Sequence, residues 1–135
     1  MKTSLHHAHL FASNIENSLQ FYREMFGAEV IFDLDVAGAR NVMISIGTSK
    51  INFYDQSPKD QERGVVHHLG IETDDLEGLV AHMESKGFEF IKQIKRLGPL
   101  KYVMAEGPDR VLFELFQVVK NALTEEQYNR LTSIR

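Results

Sequence analysis

Cysteine is absent from this 135-residue chain, and no stretch is long and apolar enough to predict a membrane-spanning helix. Without cysteine the chain can form no disulfide and has no thiol for catalysis. Any bound metal must then be held by nitrogen and oxygen ligands, which narrows the candidates to histidine, carboxylate and carboxamide side chains.

An excess of positive charge is lacking as well, since 15 Lys and Arg face 19 Asp and Glu, for a net charge of −4. We therefore expect neither nucleic acid nor a membrane as a partner. The first residues lack the apolar core of a signal peptide, so a cytoplasmic protein is expected. With 43% apolar residues, residues 1–135 can form a single domain around a sizeable core.

The chain contains an internal repeat. His7 begins an apolar stretch that leads to a polar turn at Asn14, and His68 begins one that leads to Asp75. Both pairs are separated by 61 positions. Repeats of this kind fix the architecture of a protein before any local pattern does.

The repeat also pairs residues that suit a metal. Segment 50–54 corresponds to segment 112–116, so Asn52 and Glu114 occupy equivalent positions, as do His7 and His68. Two histidines and a carboxylate related in this way suggest a metal site between the copies.

Each copy is predicted to be a β-α-β-β-β module. Helical spacing of apolar residues follows two polar pairs, so that Ser13 or Asn14 can cap the first helix and Asp74 or Asp75 the second. Module one covers about residues 5–56, a polar linker 57–64, module two 65–119, and a C-terminal helix 124–135. The predicted strands lie near 6–12, 28–35, 40–47, 49–55, 66–73, 88–96, 100–105 and 111–118.

This order of elements resembles the vicinal oxygen chelate superfamily, which includes glyoxalase I, methylmalonyl-CoA epimerase, extradiol dioxygenases, fosfomycin-resistance enzymes and bleomycin-resistance proteins. The resemblance covers about residues 5–118. The segments that carry it are His7-Ala8-His9-Leu10, Ser18-Leu19-Gln20-Phe21-Tyr22, His67 to Asp74, Pro108-Asp109 and Glu114.

The resemblance implies an α+β fold in which two βαβββ modules form a cupped, barrel-like, eight-stranded mixed sheet with helices outside. It implies His7, His68 and Glu114 as ligands of a divalent metal, with Fe, Mn, Zn, Ni and Co all open. It also implies a small-molecule substrate and a homodimer.

Several positions differ from individual family members. Asn52 stands where glyoxalase I has a carboxylate, although the epimerase can have a carboxamide there. Only Asp35 lies near the position of the epimerase's glutamate base. Met104 stands where extradiol dioxygenases have a tyrosine, and His9 where fosfomycin-resistance enzymes have a small hydroxyl residue.

A metal with two imidazole ligands and one carboxylate keeps positive charge and open positions, so it can polarise a substrate that chelates it through adjacent oxygens. The leading hypothesis is a metal-dependent lyase or isomerase that works through an enolate. The alternatives are an Fe(II)-dependent extradiol-type dioxygenase and a non-catalytic, drug-binding resistance protein.

Strand alternation places further residues beside the ligands. We expect His9 and Tyr102, with Glu114, to be catalytic. The residues expected to bind substrate are Asn52, Tyr54, Phe11, Phe116 and Met104. A basic cluster in the second module, which is either a solvated strand face or a grip for a substrate anion, consists of Lys92, Lys95, Arg96 and Lys101.

Overall fold

The computed structural model describes residues 2, 6–36, 38–58, 66 and 68–134. The chain divides into two compact units, Met1–Glu62 and Arg63–Arg135. The division falls inside the predicted linker 57–64, of which residues 59–64 lie outside the described part.

The first unit is one four-stranded sheet with one helix. The strands run in the order β1-β4-β3-β2. β1 pairs parallel with β4, and the other pairs are antiparallel. The elements are β1 (Ala8–Phe11), α1 (Ile15–Phe26), β2 (Glu29–Val36), β3 (Ala39–Ile46) and β4 (Ser49–Tyr54).

The second unit repeats this plan in the order β5-β8-β7-β6, again with one parallel pair, β5 with β8. The predicted α+β class with repeated βαβββ modules is confirmed. The described strands form two four-stranded sheets that do not join into one. The elements are β5 (Leu69–Glu72), α2 (Leu76–Ser85), β6 (Lys95–Leu97), β7 (Leu100–Glu106), β8 (Leu112–Val118) and α3 (Glu125–Leu131).

The first helix begins and ends where local chemistry requires. The Asn17 backbone N–H donates to the Asn14 side chain at 3.0 Å, and Gly27 ends the helix with φ +65°, a conformation that glycine adopts without strain. Tyr22 packs on the sheet with its ring 4.9 Å from that of Phe53. The buried helix residues are Ile15, Ser18, Leu19, Tyr22 and Met25.

The second helix follows the same pattern, with Asp75 as its cap, which accepts from the Gly78 N–H at 2.9 Å. Leu76 and Met83 are fully buried, as are Phe113 and Leu115 on β8. In each unit, then, the helix packs on one face of its sheet, and the residues that alternate with the packed ones point to the other face.

An ion pair links helix to sheet at equivalent places in both units. Arg40 on β3 binds Glu16 in the first turn of α1, and Lys101 on β7 binds Glu77 in the first turn of α2. Both residues of the second pair lie 61 positions after those of the first. Arg40 also binds Asp33 through two hydrogen bonds of 2.7 and 2.8 Å, which holds the pKa of the Asp33 carboxyl below its usual value.

The strand predicted near 88–96 is mostly wrong, because only β6 (Lys95–Leu97) forms. The Phe88 N–H donates to the Met83 carbonyl, which closes the end of α2 rather than starting a strand. The tilted rings of Phe88 and Phe90 then contact each other with centroids 4.8 Å apart, while Ile91 is 97% exposed. The alternating apolar residues Phe88 and Phe90 therefore form a local aromatic contact and are not part of a β-strand.

The C-terminal helix α3 has the capping box that Thr124 and Gln127 predict. It is shorter than the predicted 124–135. The chain after it returns to β5, where the Thr132 hydroxyl and the Ser133 N–H donate to the two carboxylate oxygens of Glu72. In the described part of the chain, no helix has the length and apolarity needed to cross a membrane.

Replacing Arg40 with Met should lower the free energy of unfolding near neutral pH, because Asp33 and Glu16 lose their cation. The folded-state pKa of Asp33 is depressed, so its contribution is present above the ordinary value of 3.8 and is lost as pH falls through the folded value. The difference between wild type and Arg40→Met should therefore narrow in acid. Urea unfolding across this pH range measures it.

Lys95→Met is the matched control, because it removes one exposed cation for which the described residues provide no ion-pair partner. If Lys95→Met changes stability as much as Arg40→Met, or if the difference between Arg40→Met and wild type does not vary with pH, the ion pair is not the cause.

Candidate functional site

The face of the first sheet that points away from α1 carries most of the predicted residues of module one. The parallel register sets His9 opposite Asn52 and Phe11 opposite Tyr54. On the other side of β4, Asn41 lies opposite Tyr54. Since Phe53 packs on the helix, its neighbours Asn52 and Tyr54 point to the opposite side. We call this surface the His9 face; its residues are His9, Phe11, Asn41, Asn52 and Tyr54.

A chain of side-chain amides crosses the His9 face. Asn41 Nδ2 donates to the Ala39 carbonyl at 3.2 Å, and Asn52 Nδ2 donates to Asn41 Oδ1 at 2.9 Å. The same Asn52 Nδ2 lies 3.1 Å from Nδ1 of His9. Asn41 and Asn52 are buried, at 9% and 5% exposure, whereas His9 is exposed. The network therefore connects a backbone carbonyl to an imidazole at the surface.

The Oδ1 atom of Asn52 is buried and has no hydrogen-bond partner among the described residues. A buried acceptor without a donor costs roughly 1–3 kcal/mol, so such an atom needs an explanation. It fits the sequence-based expectation that Asn52 serves a metal or a substrate.

Asn41 was not among the residues predicted from sequence. It lies 61 positions before Tyr102, and in each unit the residue at this place sits opposite an aromatic of the last strand, Tyr54 or Phe116. The repeat offset that paired the other candidates would have found it.

Aromatic rings border the network. His9 and Tyr54 have centroids 5.7 Å apart, and Phe11 and Tyr54 have centroids 6.3 Å apart. His7 lies just before β1 and is exposed, with its Nδ1 2.9 Å from Nδ1 of His6. Within the described first unit, His7 thus stands outside the amide network.

In the second unit the predicted metal ligands come together. His68 Nε2 lies 3.7 Å from Glu114 Oε2, with the two side chains 33% and 24% exposed. Two ligands that each lie about 2.1 Å from one ion are roughly 3 to 3.5 Å apart. The pair therefore fits two of the ligands of a divalent cation with little adjustment, and its exposure leaves room for others.

The strand neighbour of Glu114 on β5 is a glycine and places no side chain beside it. This residue, Gly70, occupies the place that His9 has in the first unit. A Cβ atom on Gly70 would lie 3.2 Å from Cε1 of Phe116. Without that side chain the strand is open beside Glu114, whereas in the first unit the His9 ring contacts Asn52.

The remaining predicted residues of module two share this face. On β7, Met104 lies opposite Glu114 of β8, and Tyr102 lies opposite Phe116 of β8. All four are partly exposed. The sheet register therefore places Met104, Tyr102 and Phe116 near Glu114, and their roles in binding or catalysis stay predictions.

Within the described residues of either unit, no three histidine or carboxylate side chains are grouped so as to hold a metal ion. The predicted ligand set has one member, His7, in the first unit and two, His68 and Glu114, in the second. Its assembly stays a prediction.

A cavity of about 340 Å³ lies in the second unit, away from this pair. Its wall includes Glu72, Arg96, Lys101, Lys120 and Tyr128, and none of the predicted site residues. Two members of the basic cluster thus border a cavity. One of them, Lys101, is already neutralised by Glu77.

Comparison with known proteins identifies one family, one curated relative and several solved structures of the same fold. The model of the Glyoxalase/Bleomycin resistance protein/Dioxygenase superfamily matches residues 4–115. The chain is 25% identical over 126 residues to the mitochondrial methylmalonyl-CoA epimerase of Dictyostelium discoideum, a match that covers 82% of this chain and 76% of the relative.

Solved structures share the fold at lower identity. A glyoxylase/bleomycin resistance protein/dioxygenase domain from Frankia sp. EAN1pec has a TM-score of 0.74 at 14% identity, covering 87% of this chain and 99% of that one. The fosfomycin resistance protein FosX from Listeria monocytogenes, complexed with Mn(II) and 1S,2S-dihydroxypropylphosphonic acid, has a TM-score of 0.70 at 22% identity, covering 94% and 95%. At these identities the likeness shows the fold alone.

The contact between Gly70 and Phe116 can be tested by a double-mutant cycle. Gly70→Ala should lower stability by up to about 1 kcal/mol, at the lower end for overpacking, because the half-buried Phe116 ring can shift. In a Phe116→Leu background the loss should disappear. Chemical unfolding of the four proteins measures the coupling, and equal losses in both backgrounds would exclude the contact.

Proposed function

The chain belongs to the Glyoxalase/Bleomycin resistance protein/Dioxygenase superfamily, and we propose that it is a divalent-metal-dependent enzyme of the lyase or isomerase type. Its substrate would be a small molecule that presents two adjacent oxygens. The observation that carries this proposal is the approach of His68 to Glu114, an imidazole and a carboxylate 3.7 Å apart on a partly exposed strand face.

We propose that His68 Nε2 and Glu114 hold the metal together with His7. Two neutral imidazoles and one carboxylate leave a divalent ion with a net charge of about +1 at the site. When bound, such an ion would polarise a carbonyl oxygen and stabilise the negative charge of an enolate.

The chain's other residues would handle the substrate and the proton. His9 and Tyr102 are proposed to exchange a proton with the substrate, since both sit on the sheet faces that carry the candidate ligands and both are at least partly exposed. Asn52 would add a hydrogen bond or a fourth ligand through Oδ1. Apolar and aromatic side chains would exclude water around the substrate; these are Phe11, Tyr54, Met104 and Phe116.

Two relatives support the reaction class. The relative at 25% identity is named an epimerase, which is a kind of isomerase. The FosX structure holds Mn(II) with a compound that has two adjacent hydroxyls. That diol fits a substrate bound through vicinal oxygens. Asn52 cannot accept a proton at neutral pH, so proton transfer would need another group.

Metal content tests the site directly. Protein purified without chelator or affinity tag should carry a divalent metal close to one per chain, and Glu114→Ala and His68→Ala should each lose it. Elemental analysis measures this. Each variant should lose the metal because it removes one of two proposed ligands that lie 3.7 Å apart.

His82→Ala is the matched control, because it removes an exposed histidine of α2 in the same unit. It should keep its metal. Retention of metal by Glu114→Ala, or loss from all three variants alike, would refute the assignment.

Proton exchange tests the reaction class. The metal-loaded protein should catalyse deuterium uptake in D₂O at the carbon between the two carbonyls of methylmalonyl-CoA, measured by NMR. His9→Phe or Tyr102→Phe should slow it by about 100-fold or more for whichever residue moves the proton. Phe21→Leu, on the helix side of the first sheet, is the control.

If the loaded protein shows no exchange but consumes oxygen in the presence of catechols and Fe(II), it is a dioxygenase instead. Stoichiometric drug binding by metal-free protein without turnover would favour a resistance protein.

The homodimer stays a prediction, and analytical sedimentation measures the oligomeric state that tests it. On the edge strand β2, the exposed apolar residues that a partner would cover are Val30, Ile31 and Leu34.

A further inference from the structure

The orientation of three side chains on the His9 face follows from one backbone carbonyl. A carbonyl oxygen only accepts, so the Asn41 group 3.2 Å from the Ala39 oxygen must be the NH₂ group. Asn41 Oδ1 then faces Asn52, and the Asn52 group that meets it must be a hydrogen-bond donor. That donor is Asn52 Nδ2, at 2.9 Å.

The second hydrogen of Asn52 Nδ2 determines the tautomer of His9. It is directed at His9 Nδ1 from 3.1 Å, so this ring nitrogen must accept. In a neutral imidazole one nitrogen accepts and the other carries the proton. His9 is therefore held with its proton on Nε2, which makes that edge of the ring a hydrogen-bond donor.

Both hydrogens of Asn52 are then used, and its oxygen has no partner among the described residues. Oδ1 is a fixed acceptor on a side chain that is 95% buried, since Asn52 has 5% exposure. This oxygen can coordinate a divalent cation, or it can accept a hydrogen bond from a hydroxyl or N–H group of a substrate.

We propose that Asn41 is a positioning residue. Through one hydrogen bond it presents the oxygen of Asn52, rather than its NH₂ group, to the bound metal or substrate, and it fixes His9 as an Nε2–H donor. This rests on the proposed function only for the identity of what Asn52 meets; the orientation itself belongs to the metal-free protein.

Among its described residues, the second unit has no equivalent amide network. Tyr102 stands where Asn41 does, Gly70 where His9 does, and Glu114 where Asn52 does. A carboxylate presents an oxygen whichever way it turns, whereas a carboxamide presents one only if it is oriented. An orienting partner is thus needed in the first unit alone, and Asn41 is found there.

The test uses three variants of β3. Asn41→Leu removes both polar atoms at similar volume. Asn41→Asp keeps an acceptor for Asn52 Nδ2 and should restore the orientation. Met43→Leu, also buried and paired with Asn52 in the sheet register, is the matched packing control.

The first readout is NMR of metal-free protein labelled with ¹⁵N at histidine and asparagine, at about pH 8, where an ordinary imidazole is neutral. Wild type, Met43→Leu and Asn41→Asp should show His9 as the Nε2–H tautomer and a slowly exchanging Asn52 NH₂ group. Asn41→Leu should show mixed tautomers and faster exchange. If Asn41→Leu keeps its fold and both signals stay as in wild type, the proposal is wrong.

Should Asn41→Leu fail to fold, Asn41→Ala, whose side chain is smaller and has no acceptor, takes its place with the same expectation. Asn41→Asp adds a further independent test, because loss of the Nε2–H tautomer there would show that the acceptor at position 41 does not set the orientation.

The second readout is calorimetric titration of Mn(II) alone. If the cation meets Asn52, Asn41→Leu should weaken its affinity by about tenfold, as loss of an orienting partner of a ligand typically does. Changed NMR signals with unchanged affinity would support the positioning role and assign Oδ1 to the substrate. If wild type binds no Mn(II), Zn(II) or Fe(II), the proposed function fails, while the tautomer result still decides the role of Asn41.

Discussion

The parallel pairing of the outer strand with the last strand in each unit controls what the candidate site can contain. It sets His9 opposite Asn52 and Gly70 opposite Glu114. A shift of one residue would turn each of these toward the helix and bring Phe53 or Leu115 to the other face. The burial of those two side chains, at 2% and 0% exposure, therefore holds the polar residues in place. The apolar packing that stabilises each sheet also determines the chemistry of its opposite face.

The two units keep their scaffold and differ at the site. The capping residues, the helix-to-sheet ion pair and two of the buried helix positions (Ile15 with Leu76, Tyr22 with Met83) recur at one offset, because a similar helix packs on a similar sheet twice. The face opposite the helix is free of that requirement. There the first unit has a neutral network of two carboxamides and an imidazole, and the second has a carboxylate beside a histidine. The two units thus share the helix caps and the ion pair, while their site faces carry different polar groups.

The repeat made most of the fold predictable from sequence, and it paired the candidate site residues. Asn14 and Asp75 gave the helix starts, and the offset paired Asn52 with Glu114. The strand near 88–96 was mispredicted because Phe88 and Phe90 alternate as strand residues do, yet contact each other after a helix end that Met83 closes. Asn41 was missed because a lone asparagine has no pattern of its own. Its partners lie 2 and 11 positions away in sequence, and only the sheet register brings Asn52 beside it. The assembly of His7 with His68 and Glu114 stays a prediction.

Under the proposed function, a carboxamide at position 52 rather than a carboxylate has an electrostatic consequence for the bound divalent ion. A second carboxylate would reduce the charge of a divalent site to about zero, whereas a carboxamide leaves about +1. A more positive site stabilises an anionic oxygen more strongly but offers no second base. The chain then has to supply proton transfer from a residue that is not a ligand. Under the proposed function the candidate for that task is His9, whose Nδ1 lies 3.1 Å from Asn52 Nδ2 on the same sheet face.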